Sequence, residues 1–167
     1  MKKMTEKNLM DAFAGESQAH MKYRNFADKA DAENYPNLAR VFRANAFAEV
    51  KHATNHLRHL GGIGSSVDNV KVAIEGETFE VEEMYPTYVN TAQLQEEKGA
   101  EVSTTWAMAA EKVHAEMYKN ALGSIESGQD IEFVPIQVCG NCGWTQEGDA
   151  PETCPICGVP KSMFQEF

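Results

Sequence analysis

The chain has 167 residues, of which 24% are charged, and a formal net charge of -10. Such an acidic chain repels phosphate groups, which argues against nucleic acid as a partner. No apolar run is long enough to cross a bilayer, and the polar sequence after Met1-Lys2-Lys3 does not resemble a secretory segment. We therefore expect a soluble, cytoplasmic protein with neither a nucleic-acid nor a membrane partner.

Helical signals dominate the chain up to its last forty or so residues. Thr5 is a candidate cap for the first helix, and Pro36 suits the first turn of the second. Helices are predicted over residues 5–30, 36–60, 67–98 and 101–122, with a kink at Pro86 and a break at Gly99. A polar linker at 123–129 leads to a β-type segment at 131–138. The predicted domains are therefore residues 1–130 and 131–167.

The pattern Glu-x-x-His occurs twice, at Glu49 and His52 and again at Glu111 and His114. A carboxylate and an imidazole three residues apart lie on one face of a helix, where both can reach one cation. Glu16 precedes Glu49 by 33 positions, and Glu80 precedes Glu111 by 31. The sequence therefore predicts two copies of one metal half-site, each formed by two helices. The predicted ligand set of the dinuclear site is Glu16, Glu49, His52, Glu80, Glu83, Glu111 and His114.

The spacing of apolar residues predicts that these carboxylates face the interior of a helical bundle. Glu16, Glu49 and Glu111 each fall on a stripe of alternating three- and four-residue steps, which is typical of a core-facing helix surface. Burying an isolated carboxylate is costly unless it is paired or binds a metal, and these stripes supply no lysine or arginine. A single Glu-x-x-His is more often a solvated pair, but two copies in register favour a metal site.

All four cysteines fall near the end of the chain, in two Cys-x-x-Cys-Gly sequences. Two such turns place four thiolates around one ion, and the glycine that follows each pair permits a tight turn. Disulfides are the alternative, but paired Cys-x-x-Cys in a cytosolic chain favours metal. The spacing does not separate iron from structural zinc. The predicted ligands are Cys139, Cys142, Cys154 and Cys157.

These motifs, together with Glu83-Met84-Tyr85-Pro86, make the chain resemble the rubrerythrin family along essentially its whole length. The resemblance implies an all-α four-helix ferritin-like bundle followed by a small rubredoxin-like metal-knuckle domain. It implies two cofactors, an oxo- or hydroxo-bridged dinuclear iron site and a mononuclear iron held by four thiolates, for which zinc can substitute. In this family, positions matching Glu83 and His52 exchange as ligands of one iron when the redox state changes, so these two are the predicted catalytic residues.

The resemblance also implies an oxidoreductase that protects against oxidative stress. It is expected to be a peroxidase that reduces hydrogen peroxide to water, with electrons arriving through the four-thiolate site from a rubredoxin or a reductase that uses reduced pyridine nucleotide.

Glu16 and Glu80 are expected to be terminal ligands, and Glu49 and Glu111 bridging ligands. Two ferrous ions with the five carboxylates carry the same formal charge as two ferric ions with an added oxo bridge, which favours redox chemistry in a low-dielectric bundle. Three tyrosines are expected either to hydrogen-bond ligand carboxylates or to pack in the core: Tyr23, Tyr88 and Tyr118.

Two other classes of protein remain open. An iron-oxidising storage protein of the ferritin kind would assemble into a cage and would not need a built-in one-electron site. A protein with only structural zinc in both sites would be colourless. Visible absorption and metal analysis separate these alternatives from a diiron peroxidase.

The short segment between the second and third helices predicts an unusual assembly. Ferritin-like bundles run these two helices parallel. A third helix that starts at Val67 would require a crossover of about 36 Å, whereas seven backbone steps from Leu60 reach about 25 Å. Either residues 67–76 are unwound or form a separate short helix, or the protein is a domain-swapped homodimer in which each site combines ligands from two chains.

Overall fold

The computed structural model describes residues 1–167 and consists of helices followed by a small three-stranded sheet. The predicted fold class is confirmed: a mostly helical region precedes a small strand module that carries the four cysteines. None of the helices combines the length and the apolar character that crossing a lipid bilayer requires. The elements are α1 (Lys3–Ala32), α2 (Pro36–His59), α3 (Ser66–Phe79), α4 (Tyr85–Leu94), α5 (Lys98–Glu126), β1 (Ile136–Cys139), β2 (Thr145–Glu147) and β3 (Phe164–Glu166).

The chain forms two compact units, Met1–Gly64 and Ser65–Phe167. The first contains the helix pair α1 and α2. The second contains α3, α4 and α5 together with the strand module. The predicted division into domains 1–130 and 131–167 stays a prediction. What the units show is that each of them contains one of the two Glu-x-x-His sequences.

In the first unit, small side chains let α1 and α2 approach each other closely. Ala27, Ala30 and Ala39 form a buried cluster, against which Phe42 packs. The Phe42 ring lies edge-on to the ring of Phe26, at 5.6 Å between centroids. Buried alanines are a small core for two helices of this length, because hydrophobic stabilisation scales with the apolar area removed from water. This unit therefore has little core of its own.

Three of the predicted helix boundaries are wrong. Helix α1 starts at Lys3 and has no side-chain cap, so Thr5 lies inside it. Gly99 lies in the first turn of α5, where a glycine weakens a helix less than in its interior, and the chain reverses just before it at Glu96, whose φ is 58°. Helix α5 also runs on through the predicted linker to Glu126. Pro36 does begin α2, as predicted.

The predicted third helix is interrupted ahead of Pro86. A capping box between Ser65 and Asp68 starts α3 at Ser66, so residues 67–76 are not unwound but belong to a helix that continues to Phe79. After Phe79 the chain makes a π-helical turn, Glu80–Met84, before α4 begins. The Tyr85 N–H donates to the Glu80 carbonyl, five residues back, instead of four. Pro86 has no N–H to continue the regular pattern, which accounts for a distortion at this position.

The strand module is an antiparallel sheet in the order β2-β1-β3. Val138 pairs with Thr145 on one side of β1, and Cys139 pairs with Phe164 on the other. The Trp144 and Phe164 rings meet edge to face, with centroids 6.4 Å apart. The predicted β-segment at 131–138 is shorter than expected, because β1 begins only at Ile136.

Candidate metal centres

The first half-site lies in the helix pair α1 and α2. Glu16 on α1, and Glu49 and His52 on α2, bring their ligand atoms within 4.8 Å of one another. The His52 Nδ1 atom lies 2.9 Å from Glu49 Oε2 and 3.9 Å from Glu16 Oε1. Both carboxylates are largely shielded from solvent, whereas 54% of the His52 side chain is exposed. Three predicted ligands therefore converge within one unit.

The second half-site, in the unit Ser65–Phe167, repeats this geometry. The His114 Nδ1 atom lies 2.6 Å from Glu111 Oε2 and 3.8 Å from Glu77 Oε2. In both half-sites the imidazole is close to the carboxylate three residues earlier and farther from one on an earlier helix, α1 in the first and α3 in the second. The two clusters thus share one arrangement of two glutamates and a histidine, although the upstream glutamate of the second is Glu77 and not the predicted Glu80.

Glu77 is a member of this cluster that the sequence reasoning missed. It precedes Glu111 by 34 positions, close to the 33 that separate Glu16 from Glu49, and this spacing was the available signal. Glu80 is half-buried nearby, and burial followed by the charge of Glu111 raises its pKa. Glu83 is exposed and lies outside the cluster, on the π-helical turn. The assignment of Glu80 and Glu83 as ligands stays a prediction.

The second half-site contains an arrangement that calls for a cation. Glu77 Oε2 is buried and has no hydrogen-bond partner. Burial, followed by the neighbouring carboxylates of Glu111 and Glu80, raises the pKa of Glu77 to about 7. A buried carboxylate without a partner is costly, and a metal ion between it and His114 would relieve that cost. The carboxylate and imidazole donors also suit iron.

We expect Glu77→Gln to stabilise the metal-free protein while weakening metal binding. At pH 8 the wild-type carboxylate is ionised and buried, so its replacement by a neutral amide should raise the free energy of unfolding by about 1 kcal/mol. The folded-state pKa lies above the ordinary value of 4.5, so the wild-type penalty is full above pH 7 and disappears below 4.5. Denaturant unfolding at several pH values measures this, with Glu75→Gln, an exposed neighbour, as the control. A destabilised metal-free variant would contradict the interpretation of Glu77.

The three predicted tyrosines differ in their surroundings. Tyr23 packs against Phe26 and Phe42, whereas Tyr88 and Tyr118 are exposed. Tyr85 is the tyrosine beside the carboxylates: burial, followed by the charges of Glu80 and Glu111, raises its pKa. A hydrogen-bonding role for Tyr23, Tyr88 or Tyr118 stays a prediction, and Tyr85 is a residue that the sequence reasoning did not select.

The four cysteines form a compact thiol cluster. Their sulfur atoms lie within 4.8 Å of one another, and none is in a disulfide. Cys139 Sγ lies 3.6 Å from Cys157 Sγ, and Cys142 Sγ lies 3.6 Å from Cys154 Sγ. A tetrahedral ion with metal–sulfur bonds of about 2.3 Å has sulfur–sulfur edges of about 3.8 Å, so the cluster fits one four-coordinate metal.

Two similar turns hold these thiols in place. The Gly143 N–H donates to the Cys139 carbonyl at 2.9 Å, and the Gly158 N–H donates to the Cys154 carbonyl at 3.0 Å. Both glycines have a φ of 79°, a left-handed conformation that glycine adopts without strain. The predicted tight turns after each cysteine pair are confirmed.

The environment favours thiolate at one end of the cluster. Burial works to raise the pKa of Cys157, but hydrogen bonds from the Asn141 side chain and the Val159 N–H outweigh it and lower the pKa to about 6. Burial raises the pKa of Cys142 above its usual range. A metal ion would offset that penalty, because it binds the deprotonated thiolate.

A hydrogen bond joins the cysteine module to the second half-site. His114 Nε2 lies 2.8 Å from the Thr145 hydroxyl oxygen, and Thr145 begins β2. Only Trp144 and Gly143 separate Thr145 from Cys142 along the chain. The second half-site and the four-thiolate cluster are thus in direct structural contact within one unit.

Comparison with protein families gives two matches. A family model described as rubrerythrin matches residues 7–122, and a model described as the rubredoxin-like domain of rubrerythrin matches residues 137–165. The chain belongs to the rubrerythrin family. Both candidate metal sites lie within the matched regions. Membership in the rubrerythrin family supports iron as the metal of the four-thiolate site and of the carboxylate–histidine site.

Similar proteins extend over nearly the whole chain. Rubrerythrin-2 of Clostridium acetobutylicum is 40% identical over 98% of this chain and 97% of its own. Nigerythrin of Nitratidesulfovibrio vulgaris is 33% identical over 98% of this chain and 86% of its own. A solved structure of nigerythrin in its fully reduced, all-ferrous state matches with a TM-score of 0.57 and 32% identity, over 98% of this chain and 86% of that one.

Proposed function

We propose that this rubrerythrin-family protein is a non-haem diiron peroxidase that protects against oxidative stress. Hydrogen peroxide would take up two electrons and two protons to give two molecules of water. The electrons would enter one at a time through the four-thiolate site, from a rubredoxin or from a separate reductase that uses reduced pyridine nucleotide. The contact that carries this proposal is the hydrogen bond between His114 and Thr145, because it joins a carboxylate–histidine site to a four-thiolate site.

Each half-site supplies groups that suit a bound iron. Glu49 and Glu111 would bridge two ions, His52 and His114 would bind through Nδ1, and Glu16 would be terminal. Glu77 and Glu80 are the two candidates for the matching terminal position in the second half-site. Iron bound there supplies a two-electron redox couple. The glutamate and histidine side chains would hold the pair together.

We infer that Glu83 is the carboxylate that replaces His52 when the site is oxidised. Two features support this assignment. Glu83 lies on the π-helical turn, a distortion that is frequent at functional sites, and His52 is the more exposed of the two imidazoles. An added carboxylate would balance the higher charge of the oxidised metals.

We expect Glu83→Ala to retain both metals but to slow peroxide turnover by about a hundredfold. Six predicted ligands remain, including both bridges, whereas the oxidised state loses its balancing carboxylate. Metal analysis and steady-state peroxidase assays measure the two effects. Glu82→Ala, in the same π-helical turn and also exposed, is the matched control. Near-normal turnover of Glu83→Ala would remove the basis for a ligand exchange.

Iron storage of the ferritin kind is the alternative function, and iron loading distinguishes it. The peroxidase proposal predicts three iron ions per chain, two in the dinuclear site and one in the cysteine site, with no further uptake when ferrous iron and dioxygen are supplied. Continued iron uptake into a large cage would favour storage instead.

We further propose that the dinuclear site is completed in a domain-swapped homodimer. Each unit contains one cluster of three carboxylate and imidazole ligands, so a two-metal site needs both the first and the second half-site. The residues after Glu49 and His52 continue as helix to His59, and α3 runs as regular helix from Ser66 to Phe79. Parallel packing of α2 and α3 in one chain, as in ferritin-like bundles, with both half-sites at the same level, would require the connection between the two helices to span about 31 Å. The six backbone steps from Leu60 to Ser66 reach at most about 22 Å.

Exposed apolar side chains on both units support this pairing. In the first unit Leu38 is 47% exposed and Phe47 is 63% exposed, and in the second Phe79 is 52% exposed. A second copy of the chain would cover such surfaces while supplying the missing half of each metal site.

A further inference from the structure

The two half-sites differ in whether the Nε2 atom of the histidine makes a hydrogen bond. His114 Nε2 lies 2.8 Å from Thr145 Oγ1, whereas the hydrogen-bonding contacts of His52 are made through Nδ1. Thr145 is only 4% exposed. A buried hydroxyl placed against a ligand imidazole is the arrangement that orients histidine in metal sites.

The direction of this hydrogen bond follows from the second contact of the hydroxyl. Thr145 Oγ1 donates its single proton to the Gly143 carbonyl oxygen, at 3.1 Å. The hydroxyl oxygen must then accept from His114, so the imidazole carries its proton on Nε2. With a metal bound, this tautomer leaves the Nδ1 lone pair for the ion, in place of the 2.6 Å contact that Nδ1 makes with Glu111 Oε2 in the metal-free protein.

Thr145 is itself held firmly. Its backbone pairs with Val138 in the sheet, and the preceding Trp144 carbonyl accepts from the Cys139 N–H at 2.8 Å. The hydroxyl is therefore fixed to the same turn that carries Cys139 and Cys142. A displacement of the cysteine module would move the hydroxyl with it.

We propose that Thr145 is a positioning residue that holds His114 in its metal-binding tautomer and orientation and ties it to the cysteine turn through the Gly143 carbonyl. His114 is thereby kept as a permanent ligand, while His52, which has no such tether in its own unit, is free to leave. This inference rests on the proposed function only in that a metal binds at His114 Nδ1.

The test compares Thr145→Val with Thr145→Ser in the full-length protein loaded with zinc. Valine keeps the branched shape that suits a strand and removes the hydroxyl, whereas serine keeps the hydroxyl. Long-range proton–nitrogen NMR correlations report the proton on His114 Nε2 and its exchange with water. We expect Thr145→Val to speed that exchange about tenfold or more and Thr145→Ser to leave it near wild type. Zinc affinity of the dinuclear site should fall by about 10- to 100-fold in the valine variant alone.

Thr153→Val, an exposed threonine of the same module, is the matched control and should change neither quantity. Absorption of the cysteine site in a separate, iron-loaded sample of each variant checks that the variant is folded. Unchanged exchange and affinity in Thr145→Val, or equal losses in the serine or Thr153 variants, would overturn the proposal. Neither readout involves peroxide or turnover, so a failure of the peroxidase proposal would be seen separately.

Discussion

Co-refolding two inactive variants should restore about a quarter of the wild-type peroxidase activity, because random pairing makes half of the dimers mixed and each mixed dimer has one intact site of two. One variant carries Glu49→Ala and His52→Ala, and the other carries Glu111→Ala and His114→Ala. In a swapped dimer, the intact first unit of one chain meets the intact second unit of the other. Metal analysis of the refolded mixture should show the same partial recovery of tightly bound metal.

The controls distinguish swapping from ordinary association. Mixing the folded variants without unfolding should give no recovery, since exchange of units requires the chains to separate. Glu16→Ala co-refolded with the Glu49/His52 variant should also stay inactive. Both variants carry their substitutions in the first unit, so no pairing of the two chains gives an intact site. Absence of recovery in the Glu49/His52 and Glu111/His114 mixture would show that each site forms within a single chain.

Cys142→Ser should lower steady-state peroxidase activity by about a hundredfold while sparing the chemistry of the dinuclear site. Serine removes one of four thiolates, so the one-electron site is lost or its potential is shifted, and reductase electrons no longer reach the helical bundle. A chemically reduced sample should still consume one hydrogen peroxide per dinuclear site. Steady-state assays with an external reductase and single-turnover mixing measure the two properties.

Ser162→Ala, an exposed residue of the same module, is the control for a general disturbance of the fold. If Cys142→Ser also loses the single-turnover reaction while its helices and bound iron remain intact, the cysteine site does more than deliver electrons. Unchanged steady-state activity would mean that electrons reach the dinuclear site by another route.

Much of the site could be predicted because it depends on short-range spacing. Glu49 with His52, and Glu111 with His114, are each three residues apart on one regular helix, where sequence spacing determines the shared face. The cysteine turns are equally local, and Gly143 has the left-handed conformation expected of it. Such features need no knowledge of how distant parts of the chain pack.

Glu77 and Thr145 were not obtained in this way, although for Glu77 the spacing of 34 positions from Glu111 was an available signal. The π-helical turn at Glu80–Met84 changes the residue count per turn, so a count based on regular helix does not show which glutamate faces α5. Thr145 meets His114 across 31 positions of sequence, through packing of a strand on a helix. No local pattern marks that contact. The helix starts at Lys3 and Lys98 were missed because helices can begin without a side-chain cap when their first turn is exposed to water.

The most direct test of the peroxidase proposal is anaerobic mixing of the fully reduced, iron-loaded protein with hydrogen peroxide or with dioxygen in a stopped-flow instrument. We expect stoichiometric oxidation of the dinuclear site by one equivalent of peroxide, about a hundredfold faster than by dioxygen at equal concentration, with water as the product. Faster oxidation by dioxygen, accompanied by further uptake of added ferrous iron, would contradict a peroxidase and indicate an iron-oxidising protein.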